Sequence, residues 1–146
     1  MCVERLTGSW PGKALTTVEL YRLIDETEET RNREDRIRAI IGMGESGDPR
    51  VVTPLIACSR DRDAEVRGYA TEALHKLRSG RAVSALIERL RDKGELPGTR
   101  QRAAAALALI RTYDAVKELK ERLSDSRETD NIRRYVSEVI RKAGIR

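Results

Sequence analysis

Seven positions of this chain recur at fixed offsets, and that recurrence restricts the fold more than any other feature. Ala39, Gly42, Met43, Asp48, Val52, Leu55 and Asp61 return at one constant step as Ala70, Ala73, Leu74, Ser79, Val83, Leu86 and Asp92. At a second, slightly longer step they return as Ala103, Ala106, Leu107, Thr112, Val116, Leu119 and Asp125. A fourth unit opens with Arg133, Val136, Val139 and Ile140. A unit of this length holds two helices and two turns. Ala70, Ala73, Leu74 and Leu77 follow the i, i+3, i+4, i+7 spacing of one helical face, and Val83, Leu86, Ile87 and Leu90 form a second such stripe. A single hairpin cannot bury its stripe alone, whereas stacked hairpins share one core. The expected architecture is therefore all-α, a short solenoid of about seven to eight helices.

The residues that start and stop helices keep the same period. Asp48, Ser79 and Thr112 are equivalent, and all three are good N-caps for second helices. Pro49 follows Asp48 at the first helical position, where its missing N–H costs nothing. Asp63, Thr99 and Asp130 precede the first helices and are read as their caps. Gly47 and Gly80 mark the turns between paired helices. The longer step arises after Asp92, in the breaker-rich loop Gly94-Glu95-Leu96-Pro97-Gly98. These marks predict an irregular arm over 1–14, around the only tryptophan, Trp10, and a repeat domain over 15–146. Within the domain they predict a cap helix over 15–30, hairpins over about 33–60, 64–91 and 99–124, and a terminal half-repeat over 131–143. Val18, Leu20, Leu23 and Ile24 are the apolar positions of the cap helix. Trp10 reads either as tucked against that helix or as an anchor for a partner.

The run from Asp61 through Val66-Arg67, Ala70 and Ala73-Leu74 recurs as Asp92 through Arg100, Ala103 and Ala106-Leu107. It recurs again as Asp125, Ile132-Arg133, Val136 and Val139-Ile140. This pattern resembles the HEAT-repeat family, in particular the short phycobilisome-lyase-like variety, over residues 33–146. Gly42 and Met43 depart from it, standing where the pattern has Ala-Leu. The resemblance implies a short right-handed α-solenoid of helical hairpins whose second helices line a concave surface. It also implies that Asp61, Asp92 and Asp125, with Arg67, Arg100 and Arg133, form a structural ladder between repeats. The alternative is that these arginines contact a ligand.

Catalysis needs convergent groups. The single histidine, His75, lies between Leu74 and Lys76 and is expected on the surface. Ser9, Ser46 and Ser79 have no base nearby, and no strand precedes Gly42-Met43-Gly44 as a phosphate-binding loop would require. Cys2 and Cys58 lack metal-ligand spacing and read as free thiols of a reducing, cytoplasmic compartment. Cys58 reads as a small packed residue, although Arg60 is close enough in sequence to activate a thiol. No catalytic, cofactor-binding or metal-ligating residue is predicted, and the chain is not expected to be an enzyme. No apolar run reaches the ~20 residues of a membrane span, and the N-terminus, with Glu4 and Arg5, lacks the apolar core of a signal peptide.

A protein partner is the expectation that remains. The exposed positions of the second helices form four rows: Arg50, Arg81, Asp114; Thr53, Ser84, Lys117; Ala57, Glu88, Glu121; and Arg60, Arg91, Ser124. They read either as a charged protein-binding groove or as an ordinary solvated face. The net charge of +5 permits a nucleic-acid partner. Glu88 and Glu121 run down the middle of the rows, however, and no aromatic residue is there to stack on bases. A role in chromophore attachment is suggested only by the name of the repeat variety. Ala104, Ala105, Ala108 and Leu109 are expected to form a small apolar patch on the outer face. Tyr135 and Ile145 are expected to leave the C-terminal end of the core open, so that the chain is a monomer or a weak homodimer through that end.

Overall fold

The computed structural model describes residues 15–146, and among these the regular structure is all helical. The arm over 1–14, with Cys2, Ser9 and Trp10, lies outside the described residues. The chain divides into two compact units, the first ending at Leu77 and the second running over Arg78–Arg146.

The first unit holds α1 (Thr17–Glu26), α2 (Arg33–Ser46), α3 (Val52–Cys58) and α4 (Ala64–Leu77). Helix α1 is shorter than the predicted 15–30 because both its ends are set by side chains. Glu19 N–H donates to Thr16 Oγ1 (3.2 Å) and Thr16 N–H to Glu19 Oε2 (2.8 Å), a reciprocal cap. At the other end the Thr27 hydroxyl donates to the Ile24 carbonyl (2.6 Å). Leu20 is buried, but Val18 is 78% exposed, against expectation. Side chains at i and i+2 point to nearly opposite sides of a helix, so the face that buries Leu20 turns Val18 outward. Helix α2 packs mainly on α4, and the contact is close: a Cβ on Gly44 would lie 2.8 Å from Ala73 Cβ. Ile40, Met43, Leu55, Val66 and Leu74 fill the core between these helices. Gly47 turns the chain in the left-handed region (φ 66°), and Asp48 caps the short 3-10 turn Pro49–Val51 that leads into α3. Asp63 caps α4, accepting from Glu65 N–H (2.8 Å) and Val66 N–H (3.3 Å).

The second unit holds α5 (Val83–Arg91), α6 (Pro97–Ile110), α7 (Tyr113–Ser124) and α8 (Asp130–Lys142). Ser79 caps the 3-10 turn Gly80–Ala82 before α5, and Thr112 caps α7. Two expectations fail here. Thr99 lies inside α6, which begins at Pro97, since proline is well suited to the first helical position. Pro97 and Gly98 are therefore helical, and the residue before them, Leu96, offers no side-chain cap. Asp130 is the first residue of α8, and Thr129 is its cap, accepting from Ile132 N–H (3.3 Å). Gly80 lies in the turn between its paired helices, as expected; the left-handed residue there is Arg78 (φ 51°), and Arg111 repeats it (φ 60°). Gly47, Arg78, Arg111 and Gly144 thus follow the repeat steps, and two arginines hold a conformation that favours glycine.

Helix α6 is the centre of the second unit and packs on α5, α7 and α8. That position narrows the expected alanine patch: Ala104 and Ala108 are buried and Leu109 is well exposed, while Ala105, Ala108 and Leu109 border a shallow depression of about 200 Å³ with Val139 and Ala143. Alanine is small enough for α6 to be surrounded. Tyr135 and Ile145 are half-buried. Gly144 (φ 67°) closes α8, with Ile145 N–H donating back to the Ile140 carbonyl (3.1 Å).

Candidate binding groove on the second helices

In the second unit, α5 and α7 lie side by side and border a groove of about 490 Å³. Val83, Ser84, Ile87 and Arg91 come from α5, with Arg81 just before it; Asp114, Lys117, Glu118 and Glu121 come from α7. Of the predicted partner-binding residues, Arg81, Ser84, Arg91, Lys117 and Glu121 line this groove. Glu88 is exposed on α5 but does not line it. Arg50, Thr53 and Arg60 belong to the first unit, where all three are exposed at or beside α3.

The floor of the groove holds a residue that sequence reasoning missed. Glu118 is only 1% exposed although it carries a carboxylate. It is held by two arginines, Arg91 Nε at 2.6 Å from Oε1 and Arg122 Nε at 2.9 Å from Oε2. Arg91 also reaches Glu121 at 3.4 Å, so one half-exposed guanidinium crosses the groove and ties α5 to α7. A buried carboxylate without such partners would be strongly destabilising.

The arginines expected to form a ladder are mostly spent inside the fold. Arg100 is 3% exposed and donates through Nε and Nη2 to the Leu90 carbonyl (2.9 and 2.7 Å). Its other contacts are to Glu128, not Asp125, at 2.9 and 2.7 Å. Burial pushes the Glu128 carboxyl up, but the Arg100 hydrogen bond, the Thr129 N–H and Arg122 outweigh it and hold it below the usual range. Arg67 donates to the carbonyls of Asp61 and Arg62 (2.9 and 3.0 Å). Arg133 pairs with Asp130 (3.0 Å) and reaches the Asp125 carbonyl (3.4 Å). Asp61 receives Arg36, a ladder arginine the sequence reading did not name, which also donates to the Thr27 carbonyl (3.0 Å). Asp92 accepts from Gly94 N–H (2.9 Å) and lies 3.5 Å from Arg89. Asp125 is held down to about 2, first by Arg127 N–H and then by Lys93.

Arg50 is committed as well. Asp48 is buried and accepts from Arg50 N–H (2.9 Å), Arg50 Nη2 (2.8 Å) and Leu15 N–H (3.0 Å). Arg50 in turn donates to the Leu15 carbonyl. The Arg50 side chain above all, with the two backbone donors, holds the Asp48 carboxyl down at about 2.

His75 is half-buried, 4.0 Å from Glu72. Cys58 is buried, and burial pushes its thiol up, which disfavours the reactive thiolate. Among the described residues no group of three His, Cys, Asp or Glu side chains could hold a metal ion, and no helix is long and apolar enough to cross a membrane.

Comparison with known proteins gives two positive findings. A family model described as HEAT repeats matches residues 20–96. Among solved structures, the chain is similar to human deoxyhypusine hydroxylase in complex with glycerol, with a TM-score of 0.76 and 20% identity. That match covers 93% of this chain and 47% of the other, so the chain spans about half the length of the solved structure it matches. No curated protein matches. At this identity the likeness shows the fold alone, that of an α-solenoid of helical hairpins.

Proposed function

Because this chain belongs to the HEAT-repeat family, we propose that it is a non-catalytic adaptor that binds another protein in the groove between α5 and α7. The observation that carries this reading is the chemistry of the groove. Arg81, Arg91 and Lys117 alternate with Asp114, Glu118 and Glu121, around the apolar edges of Val83 and Ile87. Three cations facing three carboxylates have no net field to follow a phosphate backbone. The same mixture suits a peptide surface that presents both signs and a few aliphatic side chains.

Support for a non-catalytic role comes from the disposition of the ionisable groups. Glu118, Glu128, Arg100 and Asp48 are each buried in ion pairs or backbone hydrogen bonds, which is what stabilising groups do. The solved relative is a hydroxylase by name, and its likeness to this chain is one of fold.

The test is capture of partners from lysate of the natural source, with half the lysate nuclease-treated. Wild-type protein is compared with an Arg81→Glu/Lys117→Glu variant. Proteins retained equally in both halves, and lost by the variant, support the adaptor. A bound set that disappears with nuclease overturns it in favour of nucleic-acid binding. Retention that ignores the variant moves the site away from the groove.

A further inference from the structure

Counted by residue type, the α5–α7 groove is electrically balanced; counted by exposure, it is not. Arg81, Arg91 and Lys117 are all exposed. Of the three carboxylates, Asp114 is exposed, Glu121 is half-buried and Glu118 is only 1% exposed. Glu118 is also cancelled from below by Arg122, which does not line the groove. A segment lying in the groove therefore meets Arg81, Arg91 and Lys117 against Asp114 and Glu121, an excess of one cation.

The register across the groove shows where that excess lies. Arg91 meets Glu118 and Glu121, 27 and 30 residues further along the chain. The larger step, applied one and two turns earlier, sets Lys117 across from Ile87 and Asp114 across from Ser84. At the Arg91 end the cation is already tied to carboxylates on both counts. In the middle it is not: Lys117 has no ion-pair partner among the described residues. Opposite it, Ile87 is half-buried and Val83 stands one turn earlier, so an uncompensated ammonium faces an aliphatic strip. That combination fits a carboxylate next to an aliphatic side chain. A nucleic-acid backbone fits less well, because its evenly spaced charges would also pass Asp114 and Glu121.

We infer that the groove takes an acidic peptide segment of the partner, with an aliphatic side chain on Val83 and Ile87 and a neighbouring carboxylate on Lys117. The inference rests on the adaptor reading and gives it a sign. Lys117 attracts the carboxylate, and Asp114, one turn earlier on the same helix, repels it. Asp114 therefore limits affinity instead of supplying it. Its neutralisation strengthens binding, an effect that the loss of a merely structural group does not produce.

The experiment is selection of a displayed library of random peptides on the purified full chain. The enriched peptides are then titrated by calorimetry into wild type, Lys117→Glu and Asp114→Asn, at low and high salt. Enriched sequences are expected to carry an excess of Asp and Glu beside an aliphatic residue, and to bind more weakly as salt rises. Lys117→Glu is expected to weaken them about tenfold or more. Asp114→Asn is expected to tighten them about twofold to fivefold. Helical content measured by circular dichroism distinguishes loss of binding from loss of folding, and both positions are on the surface of α7. Enriched peptides that are neutral or basic, or that gain nothing from Asp114→Asn, overturn the inference. If such peptides still lose affinity for Arg81→Glu/Lys117→Glu, the groove remains the binding site and only the sign falls. Peptides indifferent to that double variant overturn the sign and the groove together. Absence of any enrichment overturns the acidic-segment inference and leaves the adaptor reading to the lysate capture.

Discussion

The two units use the same arginine in two ways. Arg36 in the first and Arg100 in the second occupy one register position, and each donates backward to a carbonyl, that of Thr27 or of Leu90. Each also reaches forward to a carboxylate. In the first unit this is Asp61, at the repeat's aspartate position; in the second it is Glu128, one short turn beyond the equivalent Asp125. The longer glutamate side chain spans that difference and frees Asp125 to organise its own turn, where Arg127 N–H and Lys93 hold it. What the repeat preserves is the arginine and its carbonyl; the acid is interchangeable as long as it arrives at the guanidinium.

Burial makes the comparison quantitative. Arg100 and Glu128 are 3% and 0% exposed, whereas Arg36 and Asp61 keep some access to water. Arg100→Met should therefore cost about 3–5 kcal/mol, because it strands a buried carboxylate. Arg36→Met should cost about 2 kcal/mol. Chemical denaturation of both variants checks the ranking, and equal losses would break the distinction between the units.

The first-helix contact differs as well. In the first unit α2 approaches α4 so closely that Gly44→Ala would place its Cβ 2.8 Å from Ala73 Cβ, and it is expected to cost about 1–3 kcal/mol. Gly42→Ala, two positions earlier, meets only Leu23 at 3.6 Å and should gain up to about 1 kcal/mol from helix propensity. The second unit has Ala108 at the register position of Gly44, so its helices are spaced for a methyl group. Thermal melting of the two glycine variants should show shifts of opposite sign.

A pH effect separates the caps. Asp48 is ionisable, whereas its equivalents Ser79 and Thr112 are not. Its folded pKa of about 2 is depressed by Arg50 and the backbone donors. The sign follows from that depression: its contribution is fully present above the unfolded aspartate value of about 3.9, and is lost as pH falls through the folded value. Asp48→Asn should flatten the fall in melting temperature over that acidic window, while Ser79→Ala should leave its slope unchanged. The smallest effect is expected at the left-handed turns. Arg78→Gly should gain up to about 1 kcal/mol by relieving the backbone. Arg111→Gly should gain less, since Arg111 also donates to the Ala143 carbonyl.

The hairpin fold was legible because apolar positions repeat with the helical period and because a cap recurs at Asp48, Ser79 and Thr112. Which second-helix side chains face outward was legible for the same reason. Glu118 was not. It occupies the register position of Ala85, a core site, and only the arrival of Arg91 and Arg122 makes a carboxylate tolerable there. Arg78 and Arg111 were hidden because glycine is the expected residue for a left-handed turn. Glu128 was hidden because its partner, Arg100, is remote in sequence and the acid stands off the aspartate register.

The proposed protein-binding groove lies between α5 and α7. The direct measurement is a calorimetric titration of the captured partner into wild type, into Arg81→Glu/Lys117→Glu, and into Arg134→Glu on the exposed side of α8. The groove variant is expected to lose about tenfold or more in affinity, and Arg134→Glu to bind as wild type. Undiminished binding by a correctly folded groove variant would contradict it.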